Sequence, residues 1–220
     1  MRAMILAAGR GERLRPLTDT TPKALIEVAG KPLIVHAIEH LRTAGIADLV
    51  VNLGWLGGQL RERLGDGSNF GLSIHYSDEG GTTLETGGGI VKALPLLGDA
   101  PFWVVNSDVL CNYPFSDPQL APDDLAHFVL TDNPEHKNGG DFALIGSRVA
   151  ETGSQLLTYT GIGLYRPEFF ANESVRRRPL LPMMRRAALT GHVAGEHYRG
   201  HWLDVGTVER LAAANGSAFF

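Results

Sequence analysis

The stretch 6–23 constrains the fold of this chain more than any other part of the sequence. The apolar residues 4–6 lead into it and predict a buried strand. Gly9 and Gly11 follow at once, and glycine lets the backbone turn tightly and come close to a ligand because it has no Cβ. A strand that runs straight into a glycine-rich loop indicates a ligand site at the end of that strand.

The same stretch is also strongly basic, because three arginines and a lysine follow the glycines. Backbone N–H groups and these cations can converge on one anion, which favours a polyphosphate over a lone carboxylate. Two better-known phosphate motifs are excluded. Leu14 stands where a dinucleotide fingerprint needs a third glycine, and Pro32 stands where a Walker A loop needs Ser or Thr. A glycine-rich turn with solvated arginines stays open as the alternative.

Apolar periodicity predicts alternating strands and helices along the first part of the chain. A helix is expected from Pro32 to Gly45 and another over 56–64, with strands over 48–53 and 72–76. This order is typical of a parallel sheet with helices on its faces, in which ligands bind beyond the carboxyl ends of the strands.

The second half predicts more strands than helices. Strands are expected over 102–106, 126–131, 142–145 and 157–165, and helices over 90–94, 180–189 and 208–215. There is no internal repeat or linker. We therefore expect one α/β domain over 1–220, with a Rossmann-like, mostly parallel mixed sheet and no C-terminal left-handed β-helix.

Two acidic residues follow apolar segments in this half. Asp108 comes directly after the buried strand 102–106, and Asp204 follows the apolar pair 202–203. A carboxylate at the edge of a buried strand is costly unless it is paired or bound to a metal. Two simpler roles stay open, since Asp108 can cap a turn and Asp204 can cap the next helix.

The stretch 6–23 resembles the signature of the sugar-phosphate nucleotidyltransferases, L-A-A-G-x-G-x-R-L-x-P-L-T-x-x-x-P-K, at every fixed position. The resemblance implies that this loop wraps the triphosphate of a nucleoside triphosphate and that Arg13 and Lys23 contact the phosphates. It implies a nucleotide site made of Leu6, Ala7, Ala8, Gly9, Gly11, Arg13, Lys23, Glu85, Thr86, Gly87, Gly88 and Asn106, with the base near residues 85–88.

Two later segments carry the resemblance further. Asn106-Ser107-Asp108 resembles the family's Asn-x-Asp motif, and the segment 202–207 resembles its late W-x-D-V/T-G-T motif. By resemblance, Asp108 and Asp204 bind Mg²⁺, and the sugar phosphate lies near Tyr159, Thr160, Gly161 and Asp204. Core packing around a glycine bulge stays open for Tyr159.

The chain departs from the family pattern at two positions. Ser107 replaces the usual glycine or alanine, and Asn112 stands where close relatives often have an acid. Because Asn is a weaker ligand for a hard cation than a carboxylate, a second metal site is doubtful here.

Within the family, the short length, residues 85–89 and the ending 202–211 resemble the branch that transfers a uridylyl group from UTP to N-acetylmuramate α-1-phosphate, a step of peptidoglycan recycling. This implies an enzyme that uses Mg²⁺ in an in-line attack of the sugar phosphate. Guanylyl transfer to mannose 1-phosphate, and uridylyl or thymidylyl transfer to glucose 1-phosphate, stay open, as does a catalytically silent nucleotide-sugar sensor. Retention of Arg13, Lys23, Asp108 and Asp204 argues against the sensor.

Composition limits the kinds of partner that this chain is expected to bind. The net charge of −4 argues against a nucleic-acid surface, and no apolar run approaches a membrane span. A single cysteine, Cys111, fits a reducing cytoplasm and, far from any histidine in sequence, is not expected to be a nucleophile. His36-Ala-Ile-Glu39-His40 matches a zinc-protease pattern, but both histidines are expected on the solvated side of the helix. We expect small-molecule partners, with the oligomeric state open.

Overall fold

The computed structural model describes residues 1–81, 83–115 and 120–217. The strands in these ranges are β1 Arg2–Leu6, β2 Glu27–Val28, β3 Lys31–Pro32, β4 Asp48–Leu53, β5 Ser73–Asp78, β6 Phe102–Asn106, β7 Val109–Cys111, β8 Ala126–Thr131, β9 Phe142–Ile145, β10 Arg148–Ala150, β11 Leu156–Tyr165, β12 Val193–His197 and β13 Trp202–Asp204. The helices are α1 Leu33–Thr43, α2 Gly57–Leu64, α3 Glu85–Leu97, α4 Leu181–Leu189 and α5 Val208–Gly216.

Nine of these strands form one mixed sheet in the order β5-β4-β1-β6-β11-β8-β12-β10-β9. The half from β5 to β6 is wholly parallel. Beyond β6 the pairings are antiparallel, except that β12 runs parallel to β8. Because β4, β1 and β6 are parallel, their carboxyl ends meet at one edge of the sheet, where the loop after β1 begins.

Helices cover both faces of the sheet, as an α/β fold requires. Successive strand residues point to opposite faces, so Ala3 and Ile5 pack with the apolar sides of α1 and α2. Met4 faces the other way and packs with α3 and α4. The central strand β1 is therefore buried on both sides, which explains its unbroken apolar run.

A small ribbon lies beside the main sheet, where β7 pairs with β13 in antiparallel register. Its residues and the hairpin β2–β3 pack against the last helix through Val28, Leu110, Val205 and Ala214. Pairing of β7 with β13 places Asp204 opposite Val109, the residue that follows Asp108.

The expected α/β class and the strands and helices named above are confirmed, with ends that shift by a few residues, except at the start of α3. No helix in the described ranges has the length and apolar character needed to cross a membrane.

Candidate active site

The loop after β1 is shaped by two glycines with different surroundings. Gly11 has a φ of 63°, and a Cβ there would lie 2.9 Å from both Lys23 Cβ and Thr18 Cγ2. Glycine at this position therefore lets Lys23 pack against the loop. At Gly9, by contrast, a Cβ would meet no described atom within 4 Å. Gly11 thus permits the backbone conformation and close packing of the loop, whereas Gly9 leaves open space beside the loop.

That open space is a cavity of about 520 Å³ at the carboxyl ends of β1, β4 and β6. Its size is suitable for a small-molecule ligand. Many of the predicted site residues line it: Leu6, Ala7, Ala8, Gly9, Gly11, Arg13, Lys23, Glu85, Thr86, Asn106 and Asp108. The wall also contains residues that the sequence analysis did not assign: Arg10, Glu12, Asn52, Glu79, Thr83, Ser107, Arg177 and Gly206.

The glycine run after residue 84 lies inside a helix rather than in a loop. The sequence analysis placed the helix start at Ile90, which is wrong, because α3 begins at Glu85. A Cβ on Gly88 would lie 2.1 Å from the carbonyl oxygen of Arg176, and one on Gly87 would lie 3.0 Å from that of Arg178. Gly87 and Gly88 thus admit a neighbouring backbone, and they do not line the cavity.

A buried polar network connects the end of β1 and the loop after it to the start of α3. Asn52 accepts a hydrogen bond from Ala7 N at 2.6 Å and donates one to Glu79 Oε1 at 2.7 Å. Glu79 Oε2 accepts from Leu84 N at 2.7 Å. Asn52 and Glu79 are 3% and 7% exposed. The sequence analysis missed both residues, although each sits at the end of a strand, where such residues are expected to face a ligand.

The two predicted metal ligands are close neighbours in the structure. Asp204 pairs with Val109 across the ribbon, and Val205 N donates to the carbonyl of Asp108 at 2.8 Å. Burial raises the pKa of Asp204, and the charge of Asp108 raises it further. The fold therefore holds two carboxylates together against their mutual repulsion, which is the kind of donor set that suits a divalent cation.

Basic side chains surround this pair. Lys23 Nζ forms an ion pair with Asp108. Arg210 NH1 donates to Asp204 Oδ1 at 2.9 Å, and His136 Nε2 lies 3.5 Å from the same oxygen. Asp204 itself does not line the cavity, but Gly206, two residues later, does.

The predicted sugar-side residues lie beside the cavity rather than in its wall. The Tyr159 hydroxyl lies 3.1 Å from that of Tyr165, and Thr160 Oγ1 donates to Val129 O at 2.7 Å. Gly161 has a φ of 82°, and a Cβ there would lie 2.5 Å from Asn106 Nδ2. Gly161 makes room for the side chain of Asn106, which does line the cavity.

The two departures from the family pattern have different surroundings. Ser107 is buried in the cavity wall. Asn112 Oδ1 accepts hydrogen bonds from the Tyr198 hydroxyl and from His201 N at 3.0 Å. The side-chain oxygen of Asn112 therefore holds the loop before β13 in place.

The zinc-protease pattern on α1 does not form a metal site. Glu39 pairs with Lys31, and His36 Nε2 lies 3.0 Å from Val28 O. The expectation that both histidines face solvent is wrong for His40, whose ring packs on Phe115 and whose pKa is lowered by burial. Across 1–81, 83–115 and 120–217, no three His, Cys, Asp or Glu side chains converge to hold a metal.

Two known proteins are similar to this chain over nearly its whole length. An N-acetylmuramate alpha-1-phosphate uridylyltransferase from Neisseria meningitidis serogroup B is 48% identical, over 99% of this chain and 98% of its own length. A protein of the same name from Caulobacter vibrioides is 36% identical, over 96% and 94%.

A solved structure is similar in fold. A candidate glucose-1-phosphate thymidylyltransferase from Bacillus anthracis, in complex with sucrose, superposes with a TM-score of 0.82 over 98% of this chain and 94% of its own, at 22% identity. The family model described as nucleotidyl transferase matches residues 2–127. With that match over more than half of its length, the chain belongs to the nucleotidyl transferase family.

Proposed function

We propose that this enzyme transfers a uridylyl group from UTP to N-acetylmuramate α-1-phosphate, giving UDP-N-acetylmuramate and pyrophosphate. The observation that carries the proposal is the convergence of the glycine loop, Lys23 and Asp108 on one cavity. The choice of substrates rests on the two relatives matched over nearly their whole length, which are both named for this activity. The guanylyl and thymidylyl alternatives have less support.

The nucleotide would lie along the cavity with its base near Glu85 and Thr86. The backbone of Ala7 and the start of α3 are fixed there by the Asn52–Glu79 network. A rigid wall of backbone groups can recognise a flat base through directed hydrogen bonds. Gly9 would face the phosphates, because its missing side chain leaves open space.

The reaction needs no general base, because the attacking phosphate oxygen is already an anion. That oxygen would form a bond to the α-phosphorus of UTP, while the bond from the α-phosphorus to the bridging oxygen breaks. Pyrophosphate leaves with the electron pair. Lys23 would hold the α-phosphate and the incoming phosphate together, and Arg13 would stabilise the leaving group. Catalysis then comes from positioning and charge neutralisation.

Family members work with a divalent cation, and we propose Mg²⁺ for this chain. Asp108 and Asp204 would hold it, since they are adjacent and their side chains are partly buried. When bound, Mg²⁺ would neutralise the phosphate oxygens of the nucleotide. Lys23, which forms an ion pair with Asp108, would become available to the phosphates once the cation is bound.

Three further points belong to the proposal. The chain would act as one domain on small molecules alone. It would do so in the cytoplasm, because a chain with a single cysteine forms no internal disulfide and fits a reducing compartment. The sugar would lie on the side of Tyr159, Thr160 and Gly161. Side-chain rearrangement or loop movement must then open that side, because Thr160 is buried before ligand binds.

The test is pyrophosphate release with Mg²⁺ across a grid of UTP, GTP, TTP and CTP against the 1-phosphates of N-acetylmuramate, N-acetylglucosamine, glucose and mannose. We expect release with UTP and N-acetylmuramate 1-phosphate. Release with GTP and mannose 1-phosphate instead would retain the mechanism and refute the substrates. UTP binding without any release would favour the sensor.

The matched variant is Asp108→Asn, which keeps the shape of the side chain and removes its charge. We expect turnover to fall by about 10²–10³-fold, the loss typical of one charge-stabilising group. Asp99→Asn, on an exposed turn before β6, is the control and should leave turnover unchanged. Near-normal turnover in Asp108→Asn would refute the metal assignment.

A further inference from the structure

Arg210 is a charged residue next to the predicted metal site that neither the sequence motifs nor the proposed chemistry assign. It lies in the first turn of α5, where its backbone N–H donates to Thr207 Oγ1 at 3.3 Å. Its side chain is only 12% exposed, and its NH1 donates to Asp204. The arginine is thus held from two sides and points toward the carboxylate pair.

The other end of this guanidinium is unpaired. Nε and NH2 of Arg210 are buried and have no hydrogen-bond partner in the described part of the chain. A buried guanidinium presents five N–H donors, and leaving several of them unpaired is costly. Such donors are expected where a ligand supplies the missing acceptor.

Gly206 brings a second arginine to the same place. A Cβ on Gly206 would lie 2.3 Å from Arg210 NH2 and 3.0 Å from Arg13 NH2. The two guanidinium groups therefore share the space beside one glycine that lines the cavity. Because both guanidinium groups are positively charged, they repel each other, and an anion bound between them would offset that repulsion.

Arg13 is the movable member of this pair. Its residue is exposed, whereas Arg210 is anchored by Asp204. An anion that enters from the cavity can draw Arg13 toward it and reach the unpaired N–H groups of Arg210 beside Gly206. Phosphate oxygens suit this arrangement, because they accept parallel hydrogen bonds from a guanidinium fork.

We propose that Arg210 acts with Arg13 as a two-arginine site for the terminal phosphates of the nucleoside triphosphate, the group that leaves as pyrophosphate. This inference rests on the proposed function, which places Arg13 at the leaving group. Asp204 holds one edge of the Arg210 guanidinium and leaves Nε and NH2 for the phosphates. The competing role is a plain counter-ion for Asp204.

The experiment measures binding by calorimetry in excess EDTA, so that no metal on Asp204 contributes. Pyrophosphate, UTP, UMP and N-acetylmuramate 1-phosphate are titrated into wild type, Arg210→Gln and Arg210→Lys. Arg63→Gln, an exposed arginine on α2, is the matched control. UMP carries the base but lacks the terminal phosphates, so its binding also shows whether each variant is folded.

For Arg210→Gln we expect affinity for pyrophosphate and UTP to fall by about 10–100-fold, the loss typical of charge-assisted hydrogen bonds. UMP affinity should change by less than about twofold, because the α-phosphate lies outside the site. Arg210→Lys keeps the charge without the fork and should fall between wild type and Arg210→Gln. The Arg63→Gln control should match wild type.

Several results would overturn the inference. Unchanged pyrophosphate affinity in Arg210→Gln would leave only the counter-ion role, and loss confined to the sugar phosphate would place the arginine elsewhere. Equal losses for UMP and UTP would indicate a structural role. A wild type that binds no pyrophosphate would refute the two-arginine phosphate site itself. These results are independent of the substrate grid. A wild type that binds pyrophosphate but transfers to no sugar phosphate would refute the proposed function alone.

Discussion

Replacing Gly89 by alanine should destabilise the protein, although the same change usually stabilises a helix. In an exposed helix interior, Gly→Ala gains about 0.5–1 kcal/mol. Gly89 lies in α3 without a left-handed φ, so the backbone itself would accept alanine. However, the new Cβ would lie 2.5 Å from Glu79 Oε1 and 3.0 Å from Asn52 Nδ2. A contact of 2.5 Å forces the carboxylate to move.

The cost follows from what that carboxylate holds. Glu79 is 7% exposed and accepts hydrogen bonds from Asn52 and from Leu84 N, both at 2.7 Å. Weakening one buried hydrogen bond to a charged group costs about 1.5–3 kcal/mol. After the helix gain is subtracted, the net loss is about 0.5–2.5 kcal/mol. For a chain of this size, that lowers the Tm by about 1–10 °C.

The matched control is Gly58→Ala in α2. Gly58 is exposed, lies in a helix, and would present a Cβ with no described atom within 4 Å. Its Tm should rise by about 1–4 °C. Thermal melts of both variants and wild type at pH 7 provide the comparison. If Gly89→Ala raised the Tm as Gly58→Ala does, the new Cβ would not weaken the hydrogen bonds of Glu79, and the expected clash would be refuted.

Two further predictions concern titratable groups away from the cavity. Burial raises the pKa of Cys111 to about 11, so about one thiol in a thousand is ionised at pH 8. Iodoacetamide should therefore alkylate Cys111 at least about a hundredfold more slowly than it alkylates glutathione. Similar rates for the two thiols would contradict the burial of Cys111. The pKa of Glu196 is lowered by its hydrogen bond to His127, so its ionised form stabilises the folded protein above its ordinary pKa and that stability is lost as the pH falls through the lowered pKa. Glu196→Gln should therefore lower the Tm at pH 7, and the difference from wild type should shrink as the pH falls below the ordinary pKa of about 4.3 and through the lowered pKa; a difference as large at about pH 2 as at pH 7 would contradict this assignment.

The sequence predicted those parts of the site that depend on local order along the chain. Apolar runs located β1 and β6, and the residues at their carboxyl ends, Gly9, Asn106 and Asp108, line the cavity. These positions follow from one rule, that parallel strands present their carboxyl ends at one edge. The glycines after residue 84 illustrate the limit of such reasoning. Their helix propensity is low, but packing against the backbone of Arg176 outweighs it.

Contacts between segments that are distant along the chain could not be predicted from a single sequence. Asn52 lies in β4 and Glu79 directly follows β5, and they meet only because these two strands are adjacent. The expected solvent exposure of His40 failed for the same reason, since Phe115, seventy-five residues later, covers its ring. Helical periodicity reports which face of α1 meets the sheet, and it carries no information about a loop that returns later.

The carboxylate pair shows why the cations around it were harder to predict than the acids themselves. The backbone ladder between β7 and β13, together with the bond from Val205 N to Asp108 O, fixes the two acids side by side. Attraction between the two carboxylates plays no part in that placement, because they repel each other, and burial raises the pKa of Asp204. The cations that pair with these acids come from distant parts of the sequence, since Lys23 and Arg210 lie near opposite ends of the chain. Strand ends therefore predict the acids, whereas only the folded chain reveals Arg210 and the unpaired N–H groups that it offers to a phosphate.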